Sequence, residues 1–233
     1  IIGIDKQSDL FYVYDKEYWF RQEAQKRAPG TESAGSGWEM STGNYYADVF
    51  AVHKDLPAQI VANADRPLDL PTEASRWVAR QLLMKLESEF VTGFFGPSIW
   101  TGTATGNDQT GVTGTPGADE FKRWEDPNST PVEDVSRWSD EMEEKTSYRP
   151  NTLVMGPRVF SVLKNHPDIL DRIKHTQRGV VTAELLAALF DVERLLVPGA
   201  MRNTGPEGGT DAYQFYYGKN ALLAYSAPTP GLL

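Results

Sequence analysis

No cysteine occurs among the 233 residues, so disulfides, thiolate nucleophiles and cysteine-ligated metals are excluded. Histidine is almost as scarce: His53, His166 and His175 are the only three, and they are not grouped with carboxylates at ligand spacing. His166 precedes Pro167 and is read as a local capping or packing residue. Long apolar runs are missing too. Nothing approaches the ~20 residues that a membrane-spanning helix needs, and no signal-peptide pattern stands at the N-terminal end. Positive charge is in deficit. Lys and Arg number 23 against 32 Asp and Glu, giving a net charge of −9, which argues against a general DNA-binding domain. No G-x-S-x-G elbow exists and no Ser-His-Asp order stands out. The Gly- and Thr-rich stretch 101–114 lacks the lysine of a phosphate-cradling loop, since the next lysine is Lys122; it is read as a surface loop.

What remains is the composition of a folded protein, 40% hydrophobic and 24% charged, long enough for one elaborate domain or two small ones. Opening on Ile1 rather than Met and closing on Gly231-Leu232-Leu233, the sequence is expected to have artificial edges. Residues 10–20 are rich in β-favouring aromatics, and residues 44–53 alternate in strand fashion. The polar segment 22–42 between them makes the whole a long hairpin with a mobile tip, too poor in core to be stable alone. The mixed charges of 21–32 with a turn at Pro29-Gly30 suit either a disordered tip or a charged flap that pairs with a neighbour. A proline-punctuated connector, 63–71, leads to a long helix over 72–95, where Val78, Leu82, Leu86 and Phe90 step by four and Leu83 and Phe94 widen the stripe.

Residues 101–117 read as a loop or a weakly held hairpin. Thr130-Pro131-Val132-Glu133 predicts a helix start closed by a capping box, with Val132, Val135, Trp138 and Met142 facing inward. A buried strand is expected at 152–155 and helices at 157–165, 168–175 and 182–191. Strands are expected at 193–197, 213–217 and 221–225. There is no internal repeat, and the class is α+β. The carboxylates Asp140, Glu141, Glu143 and Glu144 are the residue types of a glycoside hydrolase pair, but on consecutive helical turns they read as a solvated acidic face. The basic residues Lys26, Arg27, Arg172, Lys174 and Arg178 are scattered, and ion pairing is the reading adopted for them.

Several ordered segments resemble the tailed-phage major capsid proteins, the Hong Kong phage-type capsid fold. Residues 27–33 (RAPGTES) look like the tip of that family's extended loop, or E-loop. Residues 62–69 (ANADRPLD) look like its connector into the spine helix, and Phe94-Phe95 through Ile99-Trp100 like the segment after it. Residues 124–131 (WEDPNSTP), 151–156 (NTLVMG), 165–168 (NHPD) and 216–219 (YYGK) continue the series. The resemblance implies an E-loop hairpin with its lead-in over 1–57, a peripheral (P) domain over 58–130 around the spine helix, and an axial (A) domain over 131–233. The family's usual N-terminal arm or scaffolding segment is not seen here. The usual return of the chain to complete the peripheral sheet would fall to the short stretch after Tyr225.

By this resemblance the protein is no enzyme, with no catalytic, cofactor or metal residues. It is expected to assemble with itself, as pentamers and hexamers, into the icosahedral shell of a virion built in the host cytoplasm. The shell would enclose DNA without sequence-specific binding and without a membrane, meeting scaffolding, portal and decoration proteins. Tyr18, Trp19, Phe20, Arg27, Trp38 and Met40 are the expected intersubunit residues. Two alternatives stand beside it: an encapsulin-like compartment shell with the same fold, and a hydrolase using the acidic helix.

Overall fold

Four consecutive apolar-side residues, Thr152–Met155, form β5, and every one of them is buried. The rest of the core is organised around this strand. The computed structural model describes residues 3–65, 67–101, 106–174 and 180–228. The chain divides into two units: residues 3–51 with 227–228, and residues 52–226.

In the first unit, β1 (Ser8–Tyr14) pairs antiparallel with β2 (Met40–Tyr46), in a register running from Ser8 opposite Tyr46 to Tyr14 opposite Met40. The predicted strands are therefore displaced. β1 ends at Tyr14, and residues 16–19 form a short helix, α1 (Lys16–Trp19). β2 begins four residues before the predicted 44 and ends at Tyr46. The reason is the register: after the Ala47 N–H bonds to the Gln7 carbonyl, the alternating residues beyond have no strand opposite them. The segment between α1 and β2 has no regular structure apart from a turn, in which the Thr31 N–H bonds to the Ala28 carbonyl and Gly30 takes φ +81°.

The second unit begins with α2 (Ala58–Ala62) and α3 (Leu70–Phe94). Asp69 caps α3, its carboxylate accepting from the Thr72 N–H, and Pro71 sits in the first turn, where a missing N–H costs nothing. With 25 residues α3 is about 37 Å long, the spine-like helix expected at 72–95. Its last turn is closed by the Trp100 indole N–H, which donates to the Phe94 carbonyl at 3.1 Å.

β3 (Thr110–Val112) and β4 (Glu120–Lys122) follow, paired in parallel. The 101–117 stretch is thus not a hairpin; its one strand pairs beyond the loop, with 120–122. Residues 102–105 lie outside the described residues.

α4 (Pro131–Thr146) starts where predicted, but without the capping box. The Thr130 side chain makes no capping bond, and Glu133 instead pairs with Arg172. Pro131, Val135 and Ser139, four apart, are buried along α4, with Val132 and Trp138 packed against the core beside them. After β5 come α5 (Pro157–Lys164), α6 (Pro167–Ile173) and α7 (Ala183–Leu189). Thr182 caps α7 by accepting from the Leu185 N–H. The chain then returns as β6 (Arg194–Leu196), parallel to β5. A parallel neighbour demands such a helical crossover. β7 (Met201–Asn203) and β8 (Tyr213–Phe215) form a small hairpin, and β9 (Ala221–Ala224) lies antiparallel on the other side of β5.

The sheet order is β6-β5-β9. Leu153, Met155, Leu163, Ile169, Leu186 and Val135 fill the core between this sheet and α4–α7. His166 is where the sequence placed it. Its Nδ1 accepts from the Asp168 N–H, capping α6, and its buried Nε2 lies 3.0 Å from Ser129 Oγ and 3.1 Å from the Asp126 carbonyl.

Candidate assembly interface

No described residue between 3 and 51 is buried, although this segment carries much of the chain's aromatic content. Leu10, Phe11, Tyr12 and Val13 on β1 and Tyr46 on β2 are all exposed. A two-stranded ribbon with no buried residue among those described is marginal by itself, and apolar surface left in water costs about 25 cal/mol per Å².

Five of the six predicted contact residues lie on or close to the strands of this ribbon, and Arg27 lies in the segment between them. Met40 opens β2 opposite Tyr14. The Tyr14 ring meets Trp19 edge-on at 5.9 Å, so Trp19 and Met40 share a neighbour. Trp19 and Tyr18 lie in α1, and Phe20 ends it with Lys16 Nζ 5.5 Å from its ring. The Tyr18 phenol is held above the usual tyrosine range, first by the charge of Glu39, which stands between Trp38 and Met40 in sequence. Trp38 is 64% exposed and Trp19 54%. Arg27 is exposed in the irregular tip, and no described contact brings it to the other five. Arg21 at the base of the tip pairs with Glu17 and, at 3.9 Å, with Glu23.

The second unit has its own uncovered apolar surface. α3 has no buried residue. Of the predicted stripe, Leu82, Leu83, Leu86, Phe90 and Phe94 are exposed, Leu83 to 62%. Near its start, Leu56, Pro71, Ala74, Val78 and Leu82 line an open apolar groove with Lys54 at its edge. An apolar stripe along a helix normally faces a core, and contiguous exposed apolar patches mark interaction surfaces.

Two of the four candidate carboxylates on α4, Asp140 and Glu143, are engaged in ion pairing at the surface. Arg149 reaches Asp140 at 3.2 Å, Glu143 at 3.0 Å and Asp191 at 3.2 Å, and these carboxylates raise its guanidinium above the usual arginine value. The α4 carboxyl displaced upward is a different one, Asp134. Burial raises it, and the Trp124 indole N–H, 3.1 Å away, counteracts the rise. Arg172 pairs with Glu133 and Asp168, and Lys174 with Asp171. Arg178 and His175 lie outside the described residues. Among the described residues no group of three or more potential ligands is placed to hold a metal, and no helix is long and apolar enough to cross a membrane.

The sequence reading missed the strands β4 and β7, the short helices α1 and α2, and one contact. β7, which pairs with β8, is short and exposed, and has no periodicity to betray it. The Tyr217 hydroxyl donates to Glu87 on α3 across 130 positions, a separation no local pattern reveals.

Residues 115–200 match the family described as Phage major capsid protein E. Over 97 residues the chain is 34% identical to the major capsid protein of Burkholderia phage BcepMu, covering 42% of this chain and 30% of that protein. Over 172 residues it is 25% identical to the major capsid protein of Pseudomonas phage JBD67, covering 73% of this chain and 51% of that protein. The matched part of the chain thus spans 30% and 51% of the length of these two curated relatives. Its fold is similar to a crystal structure of a phage-related protein from Bordetella bronchiseptica RB50. The TM-score is 0.69 at 20% identity, over 100% of this chain and 72% of that one. A structure from Microbacterium phage Oxtober96 gives a TM-score of 0.54 at 16% identity, over 84% of this chain and 62% of that one.

Proposed function

This chain is a relative of the tailed-phage major capsid proteins, and on that premise we propose that it is a structural subunit of a phage capsid shell rather than an enzyme. The observation that carries the reading is the uncovered apolar surface of the ribbon and of α3. Surface of this kind is covered when identical chains repeat around closed symmetry, where each weak contact is multiplied. Tyr18, Trp19, Phe20, Arg27, Trp38 and Met40 are the residues through which the ribbon of one copy meets another. In this reading 1–57 is the overlapping loop, 58–130 the peripheral domain and 131–233 the axial domain that closes pentamers and hexamers. Assembly takes place in the host cytoplasm, with scaffolding, portal and decoration proteins as partners. The net charge of −9 suits a wall that encloses DNA without gripping it.

The names of the curated relatives favour this over a cellular compartment shell. The pairing of Asp140 and Glu143 with Arg149 at the surface gives a hydrolase no support.

Deletion of residues 22–41 tests the proposal. If the proposal holds, the parent chain should sediment as large particles and show closed shells in micrographs, and the deleted chain should stay dispersed while its 52–226 unit remains folded. Normal particles from the deleted chain would refute the role of the ribbon. Particle contents decide between the two shells: packaged DNA supports a capsid, and protein cargo a compartment.

A further inference from the structure

α3 is long and unburied, yet the contacts described between its C-terminal half and the sheet converge on a single side chain. Tyr217, 3% exposed, lies in the turn between β8 and β9. Its ring meets Phe95 edge-on at 5.1 Å and Phe90 at 6.5 Å. With Phe95 and Val154 it forms a small buried cluster against which Val91 packs. Its hydroxyl donates to a carboxylate oxygen of Glu87, three residues before Phe90 on the helix. The ring contacts lie within the last turns of α3 and act as a pivot. Of the described contacts of Tyr217, the Glu87 bond reaches furthest back along the axis, where it resists rotation. The turn bearing Tyr217 is itself fixed. Gly218 takes φ +54°, the Asn220 N–H bonds back to the Tyr217 carbonyl, and the Gly156 N–H bonds to the Asn220 carbonyl.

We propose that the Tyr217–Glu87 hydrogen bond is a latch that sets the direction of α3 relative to the β6-β5-β9 sheet, making Tyr217 and Glu87 positioning residues for the exposed face of that helix. Breaking it leaves the aromatic pivot in place and lets the N-terminal part of the helix swing. From Glu87 back to Arg80 the lever is about 10 Å, and it lengthens further toward Leu70.

The absence of cysteine makes the test direct. Spin labels on Arg80→Cys in α3 and Ser161→Cys in α5 report one interval within the 52–226 unit, measured by pulsed dipolar spectroscopy on dispersed chains. The parent should give a single narrow distance distribution. Tyr217→Phe, which keeps the ring and removes only the hydroxyl, should at least double its width, and so should Glu87→Leu. Glu87→Gln, which retains an acceptor oxygen, should keep the parental width. Because Glu87 is only half-buried, neither of its substitutions disturbs the core. An unchanged width in Tyr217→Phe overturns the latch. Equal broadening in Glu87→Gln and Glu87→Leu overturns the hydrogen bond as its cause. The measurement does not depend on shells, so a chain that fails to assemble counts against the proposed function and leaves this result standing.

Discussion

Gly156 lies so close to Gly218 that a methyl group on its Cα would stand 2.5 Å from the Gly218 carbonyl oxygen. Both partners of this contact are backbone, so no side chain can turn aside. Gly156→Ala should destabilise the chain by about 1–3 kcal/mol, the usual cost of forcing atoms into a packed site. A lowered urea midpoint measures it. The same substitution moves the turn that carries Tyr217, so it should also broaden the α3 distance distribution.

His166 satisfies three groups at once, namely the Asp168 N–H, the Ser129 hydroxyl and the Asp126 carbonyl. His166→Ala removes a helix cap and one of the two hydrogen bonds of the buried Ser129 hydroxyl, which keeps its bond to the Asp126 carbonyl. A loss of about 1–3 kcal/mol is expected from equilibrium unfolding. The effect should be absent in His53→Ala, whose side chain is exposed.

Tyr217 gives a pH dependence of definite sign. Burial, and then the bond to Glu87, push its hydroxyl far above the ordinary tyrosine value. In the unfolded chain it ionises near pH ~10, whereas in the folded chain it keeps its proton well beyond that. The stability linked to this difference is whole below about pH 10 and is lost as pH rises above it. Urea midpoints should therefore fall more steeply above that pH in the parent than in Tyr217→Phe. Parallel curves would refute the linkage.

Trp19→Ser with Trp38→Ser should separate folding from assembly. Both rings are exposed, so unfolding of the chain should shift by no more than about 0.5 kcal/mol. Particle yield by sedimentation should nonetheless drop sharply. Leu163→Ala, at a fully buried core position, is the opposite control, with an expected loss of about 2–5 kcal/mol.

Much of the 52–226 unit was legible because its signals are local. β5 is apolar on both faces and announced itself at the residues observed. Prolines 71, 131, 157 and 167 each mark a helix start. The ribbon was legible as a pair of strands but not in its limits. The aromatics of residues 16–19 favour strand by composition, yet α1 forms there, with the Phe20 N–H returning to the Lys16 carbonyl. The Thr130 cap failed because Glu133 had a competing cation in Arg172, placed 39 residues away. The parallel pairing of β3 with β4 is likewise set by tertiary context. Of the candidate interface, the aromatic content was plain in the sequence. Its exposure was inferred only from the poverty of core in a hairpin, and the exposure of the α3 stripe ran against the usual meaning of such a stripe.

The ribbon's want of any buried residue also decides where errors in it are noticed. A damaged core residue betrays itself in the single chain, which unfolds and is removed. A damaged ribbon passes that inspection, because no described residue between 3 and 51 is buried. The fault first matters when chains meet, so quality control over this segment belongs to the crowd and not to the individual.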